Sequence, residues 1–520
     1  MKRYATILFT ILLLPLAALS QGVTTSSMKG TVVDENGEQL PGANVLVVHV
    51  PSGTEYGAAT NSSGAFNIRN MRVGGPYRVR ITFVGYEPYV EEGVSLSLGE
   101  TYTVDAQLQR GSAQLGEVEV VAAGAVFDRN KTGVGKNVST EDIEDAPTVG
   151  RDLADFTRLT PQAYIANDDD DGPAISIAGQ NNRFNSIFID GAVNNDVFGL
   201  SAQGTNGGQT GATPISMDAI EQFQINLSPF DVTQGGFTGG AINAITRSGT
   251  NRFEGSAYWY NRNEGLAGKT PIGLADFNNA DREDLPEFKN NRFGFRLGGP
   301  IIEDKLFFFA NVELLRSESP QPFQGISTYQ GDADIATLEE ISNTLQSEFG
   351  YDAGTFRDKN SKLDSDKILF KLNWNINRNH KLMVRHSYTQ SDNIDAFQSD
   401  AFAINYRNNS EVFPNTTNST ALELTSSFGD NKANKLILGF TDVLDDRGFA
   451  GEAFPTVTIF DGDGDISLGN EPFSTSNLSS CSRSPCGRIV PSTTYVPWAV
   501  SGETNTSPAG RFEKSPGSWT

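Results

Sequence analysis

Cysteine, histidine, positive charge and long apolar runs are all scarce in this sequence, and each scarcity excludes something. The 520 residues include 2 cysteines, Cys481 and Cys486, so no disulfide framework supports the chain ahead of them. The 3 histidines are His49, His380 and His386. None has an acidic residue three positions on or a second histidine at metal-ligand spacing, which argues against a zinc hydrolase. Lys and Arg total 40 against 63 Asp and Glu, a formal charge of −23. Such a surface repels phosphate backbones and argues against nucleic acid as a partner. Beyond the N-terminus no apolar run approaches the ~18–20 residues of a spanning helix, and mean hydropathy is −0.33. A helical membrane protein is thereby disfavoured. A β-barrel escapes that test, because its strands alternate lipid-facing and lumen-facing residues and read as half polar.

What is abundant is glycine, 53 residues, and phenylalanine, 33, the composition of a β-rich chain full of turns. Its length implies two to four units. Residues 1–20 read as an export signal: Lys2 and Arg3, an apolar stretch from Ile7 to Leu19 interrupted by Pro15, then Ala18 and Ser20 placed for cleavage before Gln21. Residues 21–110 alternate short strands with turn residues, as in Glu35-Asn36-Gly37 and Leu40–Ala43, around apolar runs such as Val45–Val48 and Tyr77–Ile81. That pattern fits a small sandwich. It resembles the carboxypeptidase-regulatory-like domain, an immunoglobulin-like β-sandwich.

Residues 111–123 form a linker holding Leu115, Gly116, Glu117, Val118, Glu119, Val120 and Val121. An extended, β-branched segment at a domain junction can add as a strand to a partner's sheet edge. Residues 124–247 form the next unit, with at most one short helix across Asp142–Leu159 and an acidic run, Asp168–Asp171, that reads as a solvated loop. Its Ile187–Gly191 strand-turn, Ile220–Ile225 strand and Gly239–Thr246 exit resemble, in order and spacing, the plug domain of TonB-dependent outer-membrane receptors. Asp190–Gly199 is similar to the Oar-like branch of that family. The resemblance implies that 115–121 stands where the TonB box sits.

From residue 248 to 478 the sequence reads as the first part of an outer-membrane β-barrel. Strands are expected near 252–262, 291–300, 305–316, 366–376, 380–390, 419–428 and 434–444, each close to the ~9–11 residues a tilted spanning strand needs. Ile368, Phe370, Leu372, Trp374 and Ile376 fall on one face and Lys371, Asn373 and Asn375 on the other; Leu382, Val384 and Tyr388 oppose Arg385, Ser387 and Thr389. Charge facing lipid at mid-depth costs roughly 2–4 kcal/mol, so the charged face is expected inside. Connections alternate strictly: tight turns at 301–304, 377–379 and 429–433, long polar loops at 263–290, 317–365 and 391–418. Outer-membrane barrels share that asymmetry, with short periplasmic turns and long extracellular loops.

Two motifs mislead. Gly265–Thr270 looks like a phosphate loop but has Asn263 where glycine is required. Asp461, Asp463 and Asp465 are weak calcium candidates, since an EF-hand loop starting there meets Pro472 in place of its bidentate glutamate. Residues 479–520 lack strand alternation and hold both cysteines. Either a frame change near Leu478 or an irregular loop in a truncated chain accounts for them. Some fifteen strands would be missing relative to the ~22 of outer-membrane transporters, and the polypeptide alone is expected not to insert stably, because open sheet edges in lipid leave backbone groups unpaired.

The fold expected is therefore mostly β: an Ig-like sandwich, an α+β plug and the first strands of a barrel. The resemblance implies transport across the Gram-negative outer membrane, driven by TonB and its inner-membrane energising complex, with the sandwich in the periplasm. It implies neither catalysis nor a cofactor. Partners are outer-membrane lipid, an unidentified ligand and, as a further candidate, a surface lipoprotein. Asn181, Arg183, Asn194 and Asn195 are the candidate ligand contacts. The alternative is a structural or adhesive surface protein without energised transport.

Overall fold

The computed structural model describes residues 22–111, 133–478 and 491–492, apart from 147, 149, 169–171, 197–200, 230–233, 270–283, 322–327, 358, 429–431 and 447. The export segment, Leu115–Val121, Asp169–Asp171 and nearly all of 479–520 lie outside the described residues.

Eight strands make the sandwich: β1 (Ser26–Asp34), β2 (Asn44–His49), β3 (Thr54–Ala59), β4 (Ala65–Met71), β5 (Gly74–Thr82), β6 (Tyr89–Leu96), β7 (Thr101–Thr103) and β8 (Ala106–Leu108). One sheet runs β4-β1-β7 with β8 also on β1, the other β3-β2-β5-β6. Period-two alternation sends Met28, Val32, Val45, Val47, Tyr77, Val79 and Ile81 into one shared core, as a strand buried on one face requires.

His49 sits in that layer, its Nδ1 2.6 Å from Ser52 Oγ and its ring 4.9 Å from that of Tyr77. Burial, with the Arg72 guanidinium adding to it, holds the imidazole down to about 3 from 6.5. Between those values the unfolded chain binds a proton that the folded one refuses. Stability present above pH 6.5 is therefore lost as pH falls, by about 2 kcal/mol on reaching about pH 5. Unfolding of the sandwich followed against pH should show this slope, and His49→Gln should flatten it. A variant with the same slope would contradict the assignment.

The middle unit contains β9 (Gly133–Val138), α1 (Thr140–Asp145), α2 (Leu153–Thr157), β10 (Ala163–Asp168), β11 (Gly172–Ile177), β12 (Ser186–Ile189), β13 (Ala192–Val193), β14 (Ile220–Pro229) and β15 (Ala241–Thr246). Its main sheet is ordered β13-β12-β15-β14-β9, with β10 and β11 as a separate hairpin. Two short helices stand where one was expected. Ser139 and Asp142 cap the first reciprocally and Asp152 caps the second, so each has its own start signal; Arg151, at φ +50°, breaks the chain between them.

Seven antiparallel strands form the wall: β16 (Glu254–Asn263), β17 (Lys289–Ile302), β18 (Leu306–Gln321), β19 (Lys359–Asn375), β20 (His380–Ala396), β22 (Ser410–Phe428) and β23 (Lys432–Asp445), with β21 (Ala403–Asn405) lying off it. All seven expected strands are present in sequential order, and the sheet does not close among the described residues. The strands β18, β19, β20 and β22, of 16 to 19 residues, run well past the ~9–11 a bilayer needs.

Their extra length lies on the side of the long connections, which corrects the expectation of plain polar loops. There α4 (Ile335–Phe349), the next helix after α3 (Glu264–Ala267), stands with the sheet of β21, β25 (Pro455–Asp461), β26 (Gly464–Leu468) and β27 (Glu471–Leu478), while β24 (Gly448–Phe449) pairs with β22. This module has its own core of Tyr329, Leu338, Leu345, Tyr351, Tyr406 and Ile466. Asp334 caps α4 at its start and Gly350, at φ +67°, ends it, a left-handed position that suits glycine.

Candidate functional site

The wall sorts its side chains by face. Outward, β18 presents Leu306, Phe308, Ala310, Val312 and Leu314 before Arg316. β19 presents Trp374, Leu372, Phe370 and Ile368 before Asp366, and β23 presents Leu436, Leu438 and Phe440 before Asp442. Trp259 and Phe440 are each 70% exposed. Leu306 to Leu314, at about 3.3 Å per residue and about 40° of tilt, spans about 20 Å, close to the apolar band of an outer-membrane barrel. Polar side chains on this face are satisfied locally: His386 Nδ1 lies 2.9 Å from Thr420 Oγ1.

Inward, the wall holds charge. Register sets Lys371 directly opposite Arg385 on the neighbouring strand, and like charges so paired repel. The middle unit supplies the missing anion. Asp190 follows β12 at φ +47°. Its Oδ1 accepts from Lys371 Nζ at 3.1 Å and from Thr246 N–H at 3.0 Å, and its Oδ2 from Thr246 Oγ1 at 2.7 Å. Arg385 Nε stands 3.3 Å from Oδ2. Lys371 also donates to the Thr246 carbonyl at 2.8 Å. The Lys371 and Asp190 side chains are 3% and 2% exposed.

A second knot lies farther along the same strands. Glu313 accepts from Lys367 Nζ at 2.9 Å, from Tyr258 OH at 2.7 Å and from Ser216 Oγ of the middle unit at 2.9 Å. Lys367 donates in turn to Thr213 Oγ1 at 2.6 Å. Arg296 of β17 pairs with Asp218 at 3.1 Å, and burial raises the Asp218 carboxyl despite that partner. Some apolar contact is made as well: Phe309 and Leu369 of the wall join the middle unit's core, and Ile437 lies beside Gly191. The middle unit is thus held inside the wall by a few apolar contacts and by hydrogen-bonding and charged groups. Such groups can exchange their partners for water, which an apolar seat cannot do without exposing its surface.

The candidate ligand contacts separate on inspection. Asn195 Oδ1 accepts from Ile187 N–H and its Nδ2 donates to Ser186 Oγ; Asn194 Oδ1 accepts from Asn206 Nδ2; Asn181 Oδ1 accepts from Arg183 N–H. Three of the four therefore serve the turns around them. The Arg183 side chain remains exposed beside exposed Phe184. Of the calcium candidates, Asp461 Oδ2 accepts from Ala333 N–H at 2.7 Å and helps join the outer module to its hairpin. No group of three potential ligands is gathered among the described residues. Lys269 of the false phosphate loop pairs with Asp284 at 3.2 Å.

Asp190, Lys371, Arg385, Glu313 and Lys367 were not singled out from sequence as a site. A signal existed: the tight turn after β19 fixes Lys371 against Arg385, and two lumenal cations face to face require a carboxylate from elsewhere.

Three family models match the chain in order. Residues 27–109 match the carboxypeptidase regulatory-like domain, 128–242 the TonB-dependent receptor plug domain, and 245–334 an outer membrane β-barrel domain. The chain is 31% identical over 302 residues to the TonB-dependent transporter Oar of Myxococcus xanthus, covering 55% of this chain and 26% of that protein. It is 28% identical over 189 residues to the probable TonB-dependent siderophore receptor PirA of Acinetobacter baumannii, covering 34% and 22% respectively. The solved outer membrane transporter YddB from Escherichia coli aligns at a TM-score of 0.45 and 16% identity, over 65% of this chain and 43% of that one. The chain thus spans about a quarter of the curated relatives it matches. With an apolar belt outside and charge inside its wall, the chain carries in sequence a carboxypeptidase regulatory-like domain, a TonB-dependent receptor plug domain and an outer membrane β-barrel domain.

Proposed function

We propose that this protein takes part in TonB-dependent transport across the outer membrane, its plug yielding to a pull applied through the segment Leu115–Val121. The observation that carries this reading is the seat of the plug. Asp190, Lys371 and Arg385 form a buried but wholly polar attachment between plug and wall. Such an attachment holds firmly at rest and can re-form after water has entered. The short turns at Glu303–Lys305 and Ile376–Asn379 define the rim where the sandwich contacts the wall, so the sandwich is assigned to the periplasm. The ligand is captured on the opposite side, where the long connections and their module stand. It undergoes no covalent change, and no residue is assigned a catalytic role.

Deleting Leu115–Val121 tests the reading. The purified chain titrated with the periplasmic domain of TonB should bind, and the deletion should abolish binding while leaving the far-ultraviolet dichroism of the chain unchanged. Equal binding by both forms would remove the basis for energised transport and leave a structural surface protein.

A further inference from the structure

The sandwich is seated across the underside of the plug. Three carboxamides on the face of the plug sheet turned away from its core hold the sandwich's main chain. Asn243 Oδ1 accepts from Val23 N–H at 2.9 Å, Gln222 Oε1 accepts from Leu98 N–H at 2.6 Å, and Gln224 Nε2 donates to the Leu98 carbonyl at 2.8 Å. A register shift in β14 between Ile220 and Gln222 turns Glu221 to the same side, where it faces Arg72 at 3.8 Å. The wall adds its rim. Arg378 Nε donates to Glu55 Oε2 at 2.7 Å, Asn375 Nδ2 donates to Thr54 Oγ1 at 2.9 Å, and Lys381 Nζ lies 4.1 Å from the centre of the Tyr56 ring. Apolar contact at this junction is small: Val23, Val73, Leu98 and Ile245 form one cluster. Between the three bodies lies a cavity of about 100 Å³ lined by Arg72, Lys371, Lys381, Asp190, Glu221 and Glu423, among other residues. Glu423 is 8% exposed, and its Oε2 and Arg72 Nε have no protein partner, so water must satisfy them.

We propose that the sandwich is a releasable cap, which must leave this seat before the plug can be displaced toward the periplasm. The inference rests on the transport reading given above. Stable domain interfaces are large and apolar, whereas polar ones are the rule where domains part. Here Glu423 Oε2 and Arg72 Nε gain no protein partner from the docked cap, and the amides and ion pairs of the rim can turn to water when it leaves. The cap also stands in the way: β14 and β15, clamped from below, are the strands that bond to the rest of the plug sheet and lead into the wall.

The test uses the full chain with Cys481→Ser and Cys486→Ser, into which Thr54→Cys and Asn375→Cys are introduced. A short membrane-permeant bis-maleimide should join the two sites efficiently in cells treated with a protonophore and several-fold less in respiring cells. Equal yields in both would make the sandwich a fixture and overturn the proposal. In the purified chain, Gln222→Ala with Gln224→Ala should speed hydrogen exchange at the Leu98 amide at least tenfold while leaving the β2 and β5 ladders unchanged. Unchanged exchange at Leu98 would overturn the clamp. This second measurement involves no TonB, so a failure of the transport reading in the Leu115–Val121 deletion is told apart from a failure of the cap.

Discussion

Asp190→Ala is expected to loosen the plug within the wall more than any other single substitution. Removing this carboxylate leaves Lys371 and Arg385 opposite each other on β19 and β20 with no anion between them. Breaking a buried ion pair by deleting one partner costs about 3–5 kcal/mol, most of it the penalty of the charge left behind. The hydrogen bonds to Thr246 N–H and Oγ1 go with it. Exchange of the β12 and β15 amides should accelerate by roughly a hundredfold or more, the ratio that about 3 kcal/mol implies. The cause is checked by rescue: adding Lys371→Met and Arg385→Met to Asp190→Ala should recover most of the protection, because neither cation is then left buried without its anion. A single variant with wild-type exchange, or a triple variant worse than the single, would show that the knot does not seat the plug.

The second large effect belongs to the outer face. Phe370, 45% exposed between Ile368 and Leu372, lies inside the apolar belt. Phe370→Arg should cost about 2–4 kcal/mol in a bilayer, while Gln390→Arg, on the outward face of β20 opposite Asp366 and so past the belt, should cost about 0–1 kcal/mol. Folding yields into lipid vesicles measured against denaturant would rank the two. Equal costs would mean that water, not lipid, bathes this face.

Much of this architecture was legible in the sequence because it depends on local pattern. Alternation along 366–376 and 380–390 separates the lipid face from the lumen whatever the strand's neighbours, and the tight turns fix the register between them. Leu382 and Arg385 accordingly lie on opposite faces, as expected. What escaped reading depends on contacts between distant segments. Tyr406, Leu338 and Ile466 share a core although each sits in a polar stretch, so the outer module looked like loops. Asn195 bonds back to Ser186 and Ile187 of β12 and Asn194 to Asn206, partners that polarity alone does not announce. Gln222 and Gln224 alternate with Phe223 and Ile225 as any half-buried strand would; their use as a clamp appears only when Leu98 arrives from 124 residues away or more.

The central claim is that the seven-stranded sheet β16-β17-β18-β19-β20-β22-β23 is a lipid-facing wall around the plug. Nitroxide labels placed one at a time from Asp366 to Asn375, in the protein held in a bilayer, measure it most directly. Collision with dissolved oxygen, which concentrates in lipid, should be high at 368, 370, 372 and 374 and low at 367, 369, 371 and 373, repeating every second residue. Accessibility to a water-soluble nickel complex at the first set, or no two-residue period at all, would contradict the account.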